Sequence, residues 1–539
     1  MDRRFFLRLA AMTAATGLVN WRFAGAAPAP DSSLDCDVVV IGAGLGGLAC
    51  GAYLAKAGFR TQVLEQHYRL GGYATNFTRQ AGDRRFTCEV SLHSSALTTP
   101  DSKAMLDELG VWDRLEIVRH PHAWASRFPG FSLDIPSSAG LDGFEKMLRE
   151  RFPAEAQGLA RYFALWRGIM TETEALDRAP FKPEEFPKRF PNLWRIHDKT
   201  VAQVLDPEIR DPQLKAVLTQ SCGYYGLPPS RLSAFFYLEP TGEYLQYGGC
   251  YLKGTSQSLS DALVKAITDK GGQVRPRTMV TAVLASGGRA TGVRTADGKE
   301  IRCRAVVSNA AALELLRDLL PPDALPKDER ARMEAMTPSP SSFMVWLGLD
   351  QDVTKTFPLP DASFYSGTDM EAAHAASMAC DYERANIAMM LYDHLVPGFS
   401  PKGCSSVCLM GLSGYDHWKP FEADYLAGRK QAYQAEKKRL ADILVRRCEQ
   451  LAIPGLSKMI VMREASTPLT NLRFTKNPYG AIYGFAPTVD NAFMSRNPNT
   501  TGLKGLFLAS AWGDPGGGFT GALLGGKGAF KDVAEFLGA

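Results

Sequence analysis

Residues 37–65 read DVVVIGAGLGGLACGAYLAKAGFRTQVLE, and the order of features within them decides the fold. The run from Val38 to Ile41 is apolar and β-branched throughout, the pattern of a parallel strand buried on both faces. Gly42, Gly44 and Gly47 follow as G-x-G-x-x-G, with Leu45 and Gly46 inside the turn. Residues 48–56 then carry a helical composition closed by Gly58. A second strand, Thr61 to Leu64, ends in Glu65, 18 residues beyond Gly47, with Gln66 next to it. In a dinucleotide-binding βαβ unit the first glycine permits the tight turn, and the second lets backbone N–H groups approach a pyrophosphate. The third lets helix and strand pack closely, the helix N-terminus favours the phosphates, and the acid accepts hydrogen bonds from ribose hydroxyls. A glycine-rich turn alone would say little. Strand, glycines, helix, strand and acid in this order specify a dinucleotide site.

Arg69-Leu70-Gly71-Gly72 follows, and resembles the second glycine pair of FAD rather than NAD enzymes. The far end of the chain carries a matching signal. Residues 505–510 form an apolar strand, and residues 511–522 read AWGDPGGGFTGA, a glycine-dense loop opening a small-residue helix. Its N–H groups, with Gly518, Phe519 and Thr520 at the helix start, suit the flavin pyrimidine end or the pyrophosphate. Asp514 suits the ribityl or pyrophosphate region.

The composition is that of an ordinary globular chain: 539 residues, 45% hydrophobic, 22% charged, enough for two or more domains. Net charge is +4, of which residues 1–29 supply +3, so nothing suggests a nucleic-acid partner. Those residues read MDRRFFLRLAAMTAATGLVNWRFAGAAPA. Arg3-Arg4 with Phe6-Leu7 resembles the twin-arginine export motif; a weakly apolar stretch at 9–19 and Ala24-Gly25-Ala26 complete a signal-peptide pattern. The expectation is a mature protein that is periplasmic or extracytoplasmic, exported folded by the twin-arginine machinery, with at most peripheral membrane contact. Ten cysteines include no C-x-x-C, so neither a zinc site nor a redox dithiol is supported, and no metal is expected.

Along the chain, Gly82-Asp83 marks a hairpin turn that leads away from the dinucleotide loop, bringing Glu89 and His93 towards the flavin as candidate proton-transfer residues. Helical patterns dominate residues 101–235, at 102–109, 141–152, 158–176 and 214–223, interleaved with aromatic and proline-rich connections. Tyr162, Phe163, Leu165, Trp166, Ile169 and Met170 form an aromatic stripe that is core or, more sharply, a greasy channel. Strands at 279–283 and 305–310, with turns at Gly287-Gly288 and Asp297-Gly298, return the chain to the nucleotide domain. Val280 is placed for backbone contact with the adenine and Asn309 at the nucleotide end of its strand. A second excursion runs from about 321 to 460 and contains a long polar helix over 423–451 with a solvated charged face. The expected architecture is α/β: a discontinuous Rossmann-like FAD-binding domain (34–100, 240–320, 461–539) and a mixed α+β substrate domain (101–239, 321–460).

Residues 38–47, Glu65, Arg69 to Gly72, Gly226-Leu227-Pro228-Pro229-Ser230 and residues 305–310 together resemble the phytoene desaturase, carotenoid isomerase and retinol saturase group of FAD-dependent oxidoreductases. The resemblance continues through Ser466-Thr467-Pro468-Leu469-Thr470, Asn477-Pro478-Tyr479-Gly480-Ala481-Ile482-Tyr483-Gly484 and residues 505–522. It implies bound FAD, an elongated apolar cavity for an isoprenoid or polyene, and redox chemistry at C–C bonds with an electron donor or acceptor to be identified. Two other readings stay open. An amine oxidase of the same superfold would use aromatics such as Tyr483, Trp512 and Phe519 around the amine. A flavin-containing lipid-binding protein would do no redox chemistry on its ligand.

Overall fold

The run from Val38 to Ile41 becomes the middle strand of a five-stranded parallel sheet, in the order Leu506–Leu508, Ala305–Ser308, Val38–Ile41, Thr61–Leu64, Gln273–Arg275. The computed structural model describes residues 32–176 and 181–539; the proposed signal peptide at 1–29 lies outside them. Successive side chains of a strand point to opposite faces, and the apolar run serves both. Val38, Val40, Val63, Ala305 and Val307 pack under the helices Leu45–Lys56, Ser256–Thr268 and Phe519–Leu537. Val39, Ile41, Leu64 and Val306 pack against a three-stranded antiparallel sheet, Val280–Ser286, Arg289–Thr295 and Glu300–Arg302. The hairpin turns expected at Gly287-Gly288 and Asp297-Gly298 join its strands. Gly82-Asp83 likewise joins Asn76–Ala81 to Arg84–Glu89.

The second unit is built on a seven-stranded sheet: Ile460–Ser466, Ser341–Leu349, Ser405–Ser413, Ile387–Leu391, Asp361–Phe364, His122–Phe128, Phe131–Pro136. Alternation again sorts its faces. Phe343, Val345, Leu347, Ile387 and Leu409 pack under the Gln431–Leu451 helix, whereas Met344, Trp346, Met390 and Met410 turn towards the nucleotide domain and line the cavity between the two units. The aromatic stripe is core: Tyr162, Phe163, Leu165, Trp166 and Ile169 are buried in a third, helical cluster.

Several boundaries differ from the sequence reading. Residues 101–235 are mostly helical as expected but also contain the strands Ile117–Arg119, His122–Phe128 and Phe131–Pro136, which the sequence reading does not anticipate, and the last two join the large sheet. The helix expected at 214–223 is Pro212–Leu218 followed by a 3-10 segment, Gln220–Tyr225. The long polar helix is two, Lys419–Leu426 and Gln431–Leu451, broken around Gly428 at φ +82°. Its charges are not all solvated, since Lys430 and Lys437 reach the cavity wall. The nucleotide core extends past residue 100 through Met105, Leu106, Val111 and Leu115. It resumes after residue 240, because Ala234–Tyr247 is one helix of the helical cluster. The strand Ile460–Ser466 belongs to the large sheet, so the last nucleotide segment starts beyond 461. All ten cysteines are buried and free. Among the described residues no helix is long and apolar enough to cross a membrane.

Candidate functional site: a dinucleotide cradle opening into an apolar chamber

One cavity of about 2040 Å³ runs from the glycine turns to the inner face of the seven-stranded sheet. Ordinary small-molecule pockets hold about 300–1,000 Å³, so this volume accommodates a dinucleotide and a second, sizeable ligand. Gly42, Gly44, Leu45, Gly46, Glu65, Gln66, Arg69, Gly71, Gly72, Val280, Asn309, Asp514, Gly518, Phe519 and Thr520 all line it. Gly47 does not. It packs the helix on the strand, with a Cβ position 2.2 Å from the Gly42 carbonyl oxygen and its N–H given to Asn309 Oδ1 at 3.1 Å. Its contribution is to hold the turn rather than to touch a ligand.

The two glycine segments are one structure. Gly71 N–H donates to the Ala43 carbonyl at 2.8 Å, and a Cβ on Gly72 would lie 3.2 Å from Gly44 Cα. Glu65 accepts from Ala43 N–H and from His67 N–H, each at 2.8 Å. A carboxylate oxygen accepts two hydrogen bonds, so each oxygen keeps a lone pair for a ribose hydroxyl. Arg69 donates to Thr75, Gln257 and Asn76, all neutral, which leaves its charge for a phosphate.

The C-terminal loop meets the same cavity. The helix Phe519–Leu537 begins at Gly518 (φ +84°), and Leu45–Lys56 begins at Gly44; neither glycine can cap its own helix, and Asn309 takes up only the Gly47 N–H of the second. Uncapped N–H groups need an acceptor, and the Thr520 hydroxyl beside them is buried with no partner. Two glycine-started helices presenting orphan donors to one cavity fit the phosphates and polar ring edge of FAD. The Gly484 turn of the Ala481-Ile482-Tyr483-Gly484 motif supports this loop: its Cβ would fall 2.2 Å from the Ala511 carbonyl oxygen, and one on Gly517 would fall 2.7 Å from that of Tyr483.

The two proton-transfer candidates separate. Glu89 is fully buried and does not line the cavity. Its Oε1 accepts from Ser91 N–H and Leu92 N–H, both at 3.2 Å, and from Ser256 Oγ at 2.6 Å, while its Oε2 accepts from Ser256 N–H at 2.7 Å. It caps the Ser256–Thr268 helix and fixes the 90–92 turn, a structural role. His93 does line the cavity, with Nδ1 3.0 Å from the Tyr392 hydroxyl and its carbonyl 2.9 Å from His120 Nε2. Burial, with His120 adding to it, lowers the His93 imidazole to about 3 from an ordinary 6.5. Below pH 6.5 the unfolded chain therefore takes up a proton that the folded one refuses. The stability of the neutral ring is full above that pH and is lost as pH falls towards 3. His93→Gln is expected to flatten the acid-side decline of Tm between pH 6.5 and 4; a decline identical to wild type would place its origin elsewhere.

Of the aromatics, Tyr483 and Phe519 line the cavity, and Trp512 forms its back wall, edge-on to Phe485 at 4.8 Å. Residues invisible to sequence reasoning complete the chamber: Tyr224, Tyr244 bonded to Ser94 at 2.5 Å, and the sheet methionines. Each arrives from a different element, so no local spacing announces them.

The family model for flavin containing amine oxidoreductase matches residues 45–533. The chain belongs to that family. It is accordingly an FAD-dependent oxidoreductase. This flavoenzyme is 24% identical to the chloroplastic prolycopene isomerase of Daucus carota over 94% of its own length and 81% of the relative's. It is 27% identical to the all-trans-retinol 13,14-reductase of Macaca fascicularis, over 83% and 77%. Cyclohexylamine oxidase from Brevibacterium oxydans shares the fold with a TM-score of 0.56 at 18% identity, covering 93% of this chain and 98% of that one.

Proposed function

We propose that this flavoenzyme desaturates, saturates or isomerises C–C bonds of an elongated hydrophobic substrate of isoprenoid or polyene type. The observation that carries the reading is the chamber beyond the cradle, walled by Met344, Trp346, Met390, Met410, Phe235 and Tyr224. Such a wall orients a long apolar chain by shape and excludes water. Relatives named for a carotenoid and for retinol support the same substrate class. Bound FAD would supply two-electron hydride chemistry. Gly44, Gly46, Arg69, Gly518 and Thr520 would hold its phosphates and ring edge, and Glu65 its ribose. His93, neutral at working pH and steadied through Nδ1 by Tyr392, would act as a neutral hydrogen-bonding group that orients what sits beside it. Residues 1–29 support export by the twin-arginine machinery to the periplasm.

An anaerobic absorbance titration against polyenes or retinoids and against amines tests the reading. Bleaching of oxidised flavin by a polyene marks a desaturase, and re-oxidation of pre-reduced flavin by a polyene marks a saturase. Conversion of a cis to a trans polyene without net bleaching marks an isomerase. Bleaching by amines alone overturns the proposal in favour of an amine oxidase, and polyene binding with no redox change or conversion overturns it in favour of a lipid carrier.

A further inference from the structure

Behind the C-terminal glycine loop lies a charge that the dinucleotide motifs do not account for. Arg496 is buried, and its guanidinium is held by backbone carbonyls. Nε donates to Gly513 at 3.0 Å, Nη1 to Phe485 at 3.3 Å and Asn491 at 3.2 Å, and Nη2 to Ala511 at 2.9 Å. Those four acceptors are neutral, so the bonds orient the positive charge without cancelling it. The loop passes directly over it: a Cβ on Gly516 would lie 2.7 Å from Nη2. The charged group acting on the guanidinium is Asp514 on the same loop. Asp514 lines the cavity, as does Arg496 itself.

We propose that Arg496 is an electrostatic positioning residue for the flavin: a fixed positive charge behind the 513–518 loop that, opposed by Asp514, sets the reduction potential of bound FAD. Reduction takes up two electrons and one proton, which makes the bound group more negative by one charge. A positive charge in a low-dielectric wall favours that state, and a nearby carboxylate opposes it. Burial brings the Arg496 guanidinium down to about 10, still protonated at neutral pH, and pushes the Asp514 carboxyl up. The pair thus works as a charge of fixed sign with a partial counter-ion. The inference rests on FAD binding and on nothing in the substrate reading.

The test is the midpoint potential of the purified holoenzyme, measured against a two-electron dye couple as reductant and reference, with flavin occupancy and Tm recorded alongside. Arg496→Met is expected to lower the potential by a tenfold or larger shift in the oxidised-to-reduced ratio, about 30 mV for a two-electron couple. Asp514→Asn is expected to raise it by a comparable amount. Arg496→Lys, which keeps the charge but gives up carbonyl bonds, should lose Tm yet hold the potential near wild type at neutral pH. A purely structural staple would lower Tm in both Arg496 variants and leave every potential unchanged, and that result overturns the proposal. Should the Met and Asn variants lose FAD, the Lys variant decides alone. Its buried ammonium titrates below the usual lysine value, so its potential should break downwards between pH 7 and 10 relative to wild type, and a parallel pH profile overturns the inference. Wild-type protein that takes up no FAD would instead remove the cofactor on which the proposal rests.

Discussion

Gly46→Ala is expected to abolish flavin binding and to destabilise the fold by about 3 kcal/mol or more. A Cβ at this position would stand 1.8 Å from the Ala509 carbonyl oxygen and 2.9 Å from Asn309 Oδ1. Neither obstacle gives way cheaply. Ala509 immediately follows the edge strand Leu506–Leu508, and Asn309 Oδ1 already accepts from Gly47 N–H. Relief requires the first helix to lift off the sheet, which pulls apart the two loops that form the cradle. Visible absorbance of the purified protein and its Tm read the two effects together. Gly288→Ala is the internal control: its φ is +72° but no atom lies within 4 Å of a Cβ, so it should cost only about 1 kcal/mol and keep the flavin. A yellow, stable Gly46→Ala protein would show that the observed approach of helix to strand is not required.

Glu89→Ala is expected to cost about 4 kcal/mol. It strips partners from the Ser91, Leu92 and Ser256 N–H groups and from the Ser256 hydroxyl, of which all but the half-buried Ser91 are buried, and each orphaned buried donor carries a penalty of about 1–3 kcal/mol. Glu89→Gln should cost less, about 2 kcal/mol, since an amide oxygen can serve one set of donors while the NH₂ opposes the other. The useful comparison is turnover per bound flavin. A structural cap predicts that Glu89→Gln loses Tm and flavin occupancy while turnover per flavin stays within about twofold. A collapse of turnover at full occupancy would return Glu89 to the chemistry.

The contrast between Glu89 and Glu65 explains what could be read from sequence. Glu65 is legible because its partners are local: the glycine turn at Ala43 and the N–H of His67 lie within the same βαβ unit. The glycine spacing, the apolar strand and the acid are set by one contiguous stretch, so the nucleotide half follows from it. Glu89 stands at the end of a hairpin that points the right way, but its main partner, Ser256, is 167 residues away, and nothing in the spacing discloses that it caps another helix. The strands His122–Phe128 and Phe131–Pro136 were hidden for a similar reason. His122–Phe128 is buried along most of its length without alternation, and its neighbour in the sheet, Asp361–Phe364, lies more than 230 residues further on, so no local pattern marks it as a strand of the large sheet. Arg496 is the extreme case: an arginine in an irregular segment, whose acceptors are backbone carbonyls carrying no side-chain signature.

The cradle draws on Gly44 near one end of the chain and Gly518 near the other, and the edge strand Leu506–Leu508 completes the sheet under it. Without residues 506–520 the fold has half a phosphate clamp and an unpaired edge on the Ala305–Ser308 strand. Long-range closure of this kind is slow relative to local helix formation. Bound flavin is therefore expected to report that residues 506–520 have joined the sheet and closed the cradle.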